Sequence, residues 1–370
     1  MPRRSLPDLP PELWLQIYRI ATEELSPLAR ARALDDEFDP LDERHLQRYF
    51  KAVRSLGRVC RFWHKLAQEL LFENIWINPK RWSSLTAALD QTNNITRTAL
   101  LSPTRFDHNI ALLRREGFSD TLEVLSQPEY PRTMEYYPSE RGIQLPPLNS
   151  LKRIFWVESS WSADLLQSVL AAAAPNIEHI TLSTSATLGS DSNILRVPNL
   201  PRLRSLSVSS LTPFHTLAVL HAGLPNLRHL TIDPPQLEPD FPPINSLTTL
   251  TITGSTFVRF ATIHARFPGL RELQFDARAT LFPPQEKQSF LRLALVRLFL
   301  PIQPSIFREP IITLNLSFLR KNPAFGAVES VVLDGKGWDY LRVPSAMHPQ
   351  QELEMLQEKG CRIKYIPDSF

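Results

Sequence analysis

One pattern, L-x-x-L-x-L with aliphatic or aromatic substitutes, returns along most of this chain and sets what it can fold into. It reads SLKRIFWV at 150–157, NIEHITLS at 176–183, RLRSLSVS at 202–209 and NLRHLTID at 226–233. It continues as SLTTLTIT at 246–253, GLRELQFD at 269–276, ALVRLFLP at 294–301 and AVESVVLD at 327–334. The first apolar position falls at Leu151, Ile177, Leu203, Leu227, Leu247, Leu270, Leu295 and Val328, giving steps of 26, 26, 24, 20, 23, 25 and 33 residues. A period in this range marks stacked units. In NLRHLTID, Leu230 and Ile232 alternate with His229, Thr231 and Asp233, so one face of a short strand is apolar and the other polar. A single unit cannot bury that face, whereas stacked neighbours can.

Proline fits the same phase. The 370 residues include 33 prolines and 11 glycines, inverting the usual balance of about 5% to 7%. Pro175, Pro201, Pro225 and Pro268 stand just before strands, where a preceding helix must stop. Between strands, residues 161–175 predict a helix with Ser162 as its cap, and residues 213–223 and 284–295 look similar. The proline clusters at 234–243 and 301–310 predict extended connections. Backwards, the repeat phases onto Phe72, Ile75 and Ile77, then Ile95, Thr98 and Leu100, then Leu122 and Leu125, with steps of 23, 27 and 29. A second apolar phase at Ile311, Leu314 and Leu316 predicts an extra irregular unit, and residues 349–367 predict a helix stopped near Gly360 and a last short strand. Signature and spacing together resemble leucine-rich repeats. The resemblance implies an α/β solenoid with short parallel strands and variable helical convex segments, although the asparagine that often follows the strand in that family is missing here.

Residues 6–77 are of another kind. In LPDLPPELWLQIYRIATEE, Leu13, Ile17 and Ile20 lie along one face of a helix that Pro11 starts and Glu12 favours through the helix dipole. Farther on, Val53, Leu56, Val59, Cys60, Trp63, Leu66 and Leu70 recur at helical spacing, with Gly57 as a break or kink. Trp14, Tyr18, Phe62 and Trp63 give so small a module more apolar surface than it can bury alone. The pieces LPPELWLQIY at 9–18, VCRFWHKLA at 59–67 and LLFENIWI at 70–77 resemble, in order and polarity, the F-box in its fungal form. The departure is an insert near 24–47, where a compact F-box has a short loop.

What the F-box resemblance implies is a receptor subunit of a Skp, cullin and F-box ubiquitin ligase, docked on a Skp-family adaptor, and through it on a cullin, while the repeats hold a protein target. Carried over residue by residue, the adaptor surface comprises Leu9, Pro10, Glu12, Leu13, Ile17, Val59, Cys60 and Trp63. The expected organisation is a helical module at 1–71, degenerate repeats at 72–147 and the regular solenoid with its terminal cap at 148–370. Outward strand positions form two columns, the first through Arg153, His179, Ser205, His229, Thr249, Glu272, Arg297 and Ser330, the second through Phe155, Thr181, Ser207, Thr231, Thr251, Gln274, Phe299 and Val332. Arginine and aromatic side chains anchor many interfaces, so Arg153, Phe155, Arg297 and Phe299, with His179 and His229, are the candidate target contacts. The alternative is that these are ordinary exposed strand residues, with Phe155 and Phe299 packed under loops. A second functional alternative is a repeat scaffold with no ligase role, its helices acting as the cap every solenoid needs.

Other classes find little support. A net charge of +3 makes no field strong enough to argue for nucleic acid. There is no G-x-G-x-x-G, P-loop, G-x-S-x-G, H-E-x-x-H or C-x-x-C. His179 and His229 stand two repeats apart, too far to share a metal, and Cys60 and Cys361 form neither a metal pair nor a disulfide framework. The acidic run from Asp35 to Glu43 reads as a solvated linker, and Asn94 and Asn315 as fortuitous glycosylation triplets. The expectation is therefore a non-catalytic protein without cofactor or metal, cytoplasmic or nuclear, with no membrane partner.

Overall fold

A computed structural model describes residues 10–22, 43–91, 95–102, 105–127, 143–158, 163–184, 198–209, 224–232, 243–253, 257–259, 263, 265–282, 293–300, 309–321, 328–342 and 347–366. It is a mixed α/β structure of short parallel strands, and it divides into two compact units, Met1–Thr181 and Leu182–Phe370.

The first unit opens with three helices: α1 (Pro11–Thr22), α2 (Glu43–Leu56) and α3 (Arg61–Glu73). The long apolar run from Val53 to Leu70 is split between α2 and α3, with the break at 57–60. Gly57 suits this close approach, since a Cβ there would stand 3.1 Å from the Ala67 Cβ of α3, tighter than most such contacts. Their common core is Trp14, Tyr18, Tyr49, Val53, Leu66, Ala67 and Leu70.

From α3 the chain passes directly into β1 (Asn74–Trp76), then through α4 (Trp82–Asp90) to β2 (Thr98–Leu100), and through α5 (Phe106–Leu113) to β3 (Val124–Gln127) and β4 (Arg153–Glu158). These four strands pair in parallel and in chain order. Helix α6 (Ala163–Ala173) follows where the sequence predicts one, with Leu165, Leu166, Val169 and Leu170 fully buried and Ala172 accepting the Leu148 amide. The boundary between the units falls within β5 (His179–Thr184).

In the second unit, β6 (Ser205–Ser209), β7 (His229–Ile232) and β8 (Thr249–Ile252) pair in parallel, followed by β10 (Glu272–Asp276), β12 (Leu295–Phe299), β13 (Ser330–Asp334) and β14 (Arg362–Ile366). A separate parallel pair joins β9 (Phe257–Arg259) to β11 (Thr280–Phe282). Inward positions such as Leu203, Leu206, Val208, Leu227 and Ile232 are completely buried, and burial alternates along β6, β7 and β12 with the two-residue period of a strand.

Two registers differ from the sequence reading. Ile75 pairs with Ala99 and Ala99 with Leu125, so the β2 unit is phased on Thr96, Ala99 and Leu101, one residue along, and Ile95 is exposed. Val296 pairs with Leu273 and with Val331, so the β12 unit is phased on Leu293, Val296 and Leu298 instead of starting at Leu295. This second shift is by two residues, which preserves the face of every side chain and hides the error from any argument based on alternation.

The phase at Ile311, Leu314 and Leu316 is not a strand unit but helix α7 (Glu309–Lys321), which buries Ile312, Leu316 and Leu319 and leaves Leu314 out. The terminal helix and strand lie as expected: α8 (Met347–Glu358) ends at Gly360, whose φ of 89° needs glycine, and β14 follows. Segments 213–223, 234–242, 284–292 and 301–308 lie outside the described residues.

Asn315 of α7 is buried, and its Nδ2 donates to the carbonyls of Ala277 at 2.8 Å and Ala279 at 2.7 Å. That position cannot carry a glycan without unfolding the helix from its support. Replacing Asn315 by leucine strands two buried acceptors and should lower stability by about 2–4 kcal/mol, measured by urea unfolding followed by circular dichroism.

Candidate interaction faces

Helix α1 buries Trp14 and Tyr18, one helical turn apart, against α3. The Trp63 ring meets both, with centroids 5.9 Å from Trp14 and 4.8 Å from Tyr18. Once these aromatics fill the core, the other stripe of α1 has nothing among the described residues to pack on. Leu13 and Ile17 are each 43% exposed and Ile20 69%, at i, i+4 and i+7, and Val59 in the turn between α2 and α3 is 59% exposed. Cys60 is an exposed free thiol, and Pro10 and Glu12 are also exposed.

The residues of the expected adaptor surface thus separate. Pro10, Glu12, Leu13, Ile17, Val59 and Cys60 are exposed, whereas Trp63 is partly buried and packs against the module's own core. Leu9 lies outside the described residues. The aromatic surplus seen in the sequence is spent internally, and aliphatic side chains make the uncovered surface; Ile20, also part of it, was legible from its i+7 spacing.

The opposite side of the three helices is tied to the first strands. Burial raises the Tyr49 phenol well above its ordinary range, so it stays protonated and donates to Leu70 O at 3.2 Å. It accepts from Asn74 Nδ2 at 3.1 Å. Glu73, 8% exposed, lies 3.5 Å from Arg19 Nη2 of α1 and 3.4 Å from Arg97 Nε, and Arg97 reaches on to Glu123 at 3.3 Å. Helix α1, the end of α3 and the approaches to β2 and β3 are linked by this chain of charges.

The outward strand positions behave differently in the two units. In the first, Arg153 pairs with Val124, and the His179 amide donates to Lys152 O, which brings the start of β5 beside that of β4. Both side chains are half-buried. Phe155 has the outward register but is 3% exposed, and its row neighbours Leu100 and Ser126 are as deeply buried. Here both faces of the parallel sheet are covered, so Phe155 is core and offers nothing to a target.

In the second unit the first row runs Ser205, His229, Thr249, Glu272, Leu295, Ser330 and Arg362. Arg297 therefore moves to the second row, between Gln274 and Val332, and Phe299 to the third, between Asp276 and Asp334. Arg297 is engaged within the fold: Nη1 lies 3.4 Å from Asp334 and Nη2 4.0 Å from Glu272, which also accepts from Gln274. His229 and Phe299 remain half-buried on their rows. Among the described residues, no three His, Cys, Asp or Glu side chains converge as a metal site, and no helix is long and apolar enough to cross a membrane.

No known family and no curated protein matches this chain.

Asp334 is 1% exposed, and burial pushes its carboxyl above the usual range, with Arg297 pulling in the opposite sense. An acid whose folded pKa is raised binds its proton more tightly when folded, so stability falls as pH rises from about 4 through the raised value. Asp334→Asn removes that contribution. Thermal melts at pH 4 and pH 7 should show the difference in Tm between variant and wild type moving in favour of the variant at the higher pH.

Proposed function

We propose that this chain is the target-receptor subunit of a Skp, cullin and F-box type ubiquitin ligase, with α1 to α3 as an F-box-like module and the strand units as a leucine-rich-repeat-like solenoid. The observation that carries the reading is the uncovered aliphatic stripe Leu13, Ile17 and Ile20 with Val59 beside the exposed Cys60. Four aliphatic side chains this exposed gain roughly 1 kcal/mol each on burial, and three of them, Leu13, Ile17 and Val59, fall on the motif pieces that resemble the adaptor-binding part of an F-box. The transfer chemistry belongs to other subunits in this reading, and the chain contributes two recognition faces.

On the target side, Arg153 and His179 are half-buried on outward rows of the first unit; in the second, His229 and Phe299 are half-buried, and the first two rows carry hydroxyls at Ser205, Ser207, Thr231 and Thr251. Arg297 contributes through its pairing with Asp334 and Glu272 and holds the face in shape.

The reading of the helices as a plain cap has its own support in the Tyr49–Asn74 bond and the Glu73 ion pairs. These use the strand-facing side of the module, and the adaptor reading uses the other, so one set of helices serves both.

Leu13→Asp with Ile17→Asp should reduce co-purification with a Skp adaptor by tenfold or more while leaving the circular dichroism melt within about 1 kcal/mol of wild type, since both sites are half-exposed. Trp63→Glu should melt the module and lose the adaptor together. Full adaptor capture by the first variant would overturn the assignment.

A further inference from the structure

A groove of about 800 Å³ runs between α2 and α4, with β1 at its base. Its walls carry four cations, Lys51 and Arg54 on α2, Arg58 in the turn after it and Arg81 just before α4, and no carboxylate among the described residues lines it. Among the described residues none of the four side chains forms an ion pair. The floor is apolar, with Phe72 and Leu85 among its residues.

One buried polar atom on this lining is unpartnered. Asn74 is 1% exposed, and its Oδ1 has no hydrogen-bond partner. Turning the amide over does not help. The single Tyr49 hydroxyl proton goes to Leu70 O, so Tyr49 can only accept from Asn74, and the amide oxygen is left for a donor from elsewhere. Leaving such an acceptor dry costs about 1–3 kcal/mol.

The strand at the base has a free side. Among the described residues β1 is the first strand of its sheet and is paired by β2 alone. Ile77 N–H donates to Leu100 O at 3.0 Å, so the odd positions turn their backbone groups to β2, and Asn74 and Trp76 turn theirs the other way. An occupant of this groove meets strand-edge backbone, an unfilled amide acceptor, an apolar floor and a rim of unpaired positive charge. A small inorganic anion matches only the last of these and leaves the floor wet. An extended peptide supplies backbone N–H donors for the edge and for Asn74, carboxylates for the rim and an apolar side chain for the floor.

We propose that the groove between α2 and α4 binds an extended acidic peptide segment of a protein partner, with an apolar residue between its carboxylates. This site is separate from the α1 stripe and does not depend on the ligase reading.

The test is fluorescence anisotropy of the full chain with a fluorescein-labelled probe, Glu-Glu-Leu-Glu-Phe-Glu-Leu-Glu-Glu, at low and near-physiological salt. Saturable binding that weakens with salt is expected. The double variant Lys51→Glu, Arg54→Glu should weaken it at least tenfold, and Arg81→Glu on the other wall should weaken it as well, each with an unchanged melt. Adaptor co-purification by the double variant should persist, which separates failure here from failure of the ligase reading. The proposal is overturned if both variants bind as wild type does, if a lysine-for-glutamate probe binds equally, or if millimolar sodium phosphate displaces the peptide completely. Binding that emerges only after excision of residues 28–40 would assign the groove to the chain's own acidic stretch and would overturn it too.

Discussion

A parallel strand of three to six residues buries almost nothing by itself; it holds only because the inward side chains of its neighbours close over its own. In the second unit that mutual burial is carried by Leu206, Leu230, Leu250, Leu273, Val296 and Val331, all essentially without solvent contact and each registered on the next. The rest of the unit is secondary to this row. Loops and helices between strands vary in length and kind because their task is only to return the chain to register, whether through a 13-residue helix such as α7 or a short connection.

The same constraint explains the ends. A stack leaves a strand with one partner at each terminus, and its unpaired backbone invites association with other chains. At the start, the α3 helix runs straight into β1, and the Tyr49 hydroxyl and the Glu73 carboxylate fix the helices onto it. At the other end, β14 is preceded by α8, with Cys361 buried between them and the next inward positions, Ile363 and Tyr365, only half-covered. The capping is thus unequal: the beginning is braced by charge and hydrogen bonds, the end by one helix.

Much of this architecture can be read in the chain. Strands β4 to β8 and β10 fall on the L-x-x-L-x-L phase, α6 on its predicted span and the Gly360 stop on the residue with a positive φ. The failures have separate physical causes. At β2 the inward positions are Thr96 and Ala99, too small or too polar to outvote Ile95. At β12 a run of apolar residues from Leu293 to Leu300 fits two frames that differ by one strand period. Alternation identifies a face but not what lies over it: Phe155 is on the outward side of the first unit's sheet and is nonetheless buried.

Three short helices offer three kinds of surface, and each is committed by what the others leave. The inner faces take the aromatics, because Trp14, Tyr18, Tyr49 and Trp63 can fill a small core with few residues. The strand-facing side must satisfy polar atoms at a sheet edge, and it is there that Asn74, Glu73 and the cations of α2 collect. Aliphatic residues on the third side of α1, Leu13, Ile17 and Ile20, then stand outside this core and stay exposed. The stripe and the groove lie on different helices, α1 against α2 and α4, and approach one another at the turn that holds Arg58 and Val59. The module thus closes the first strand on one side and leaves an aliphatic stripe uncovered on the other.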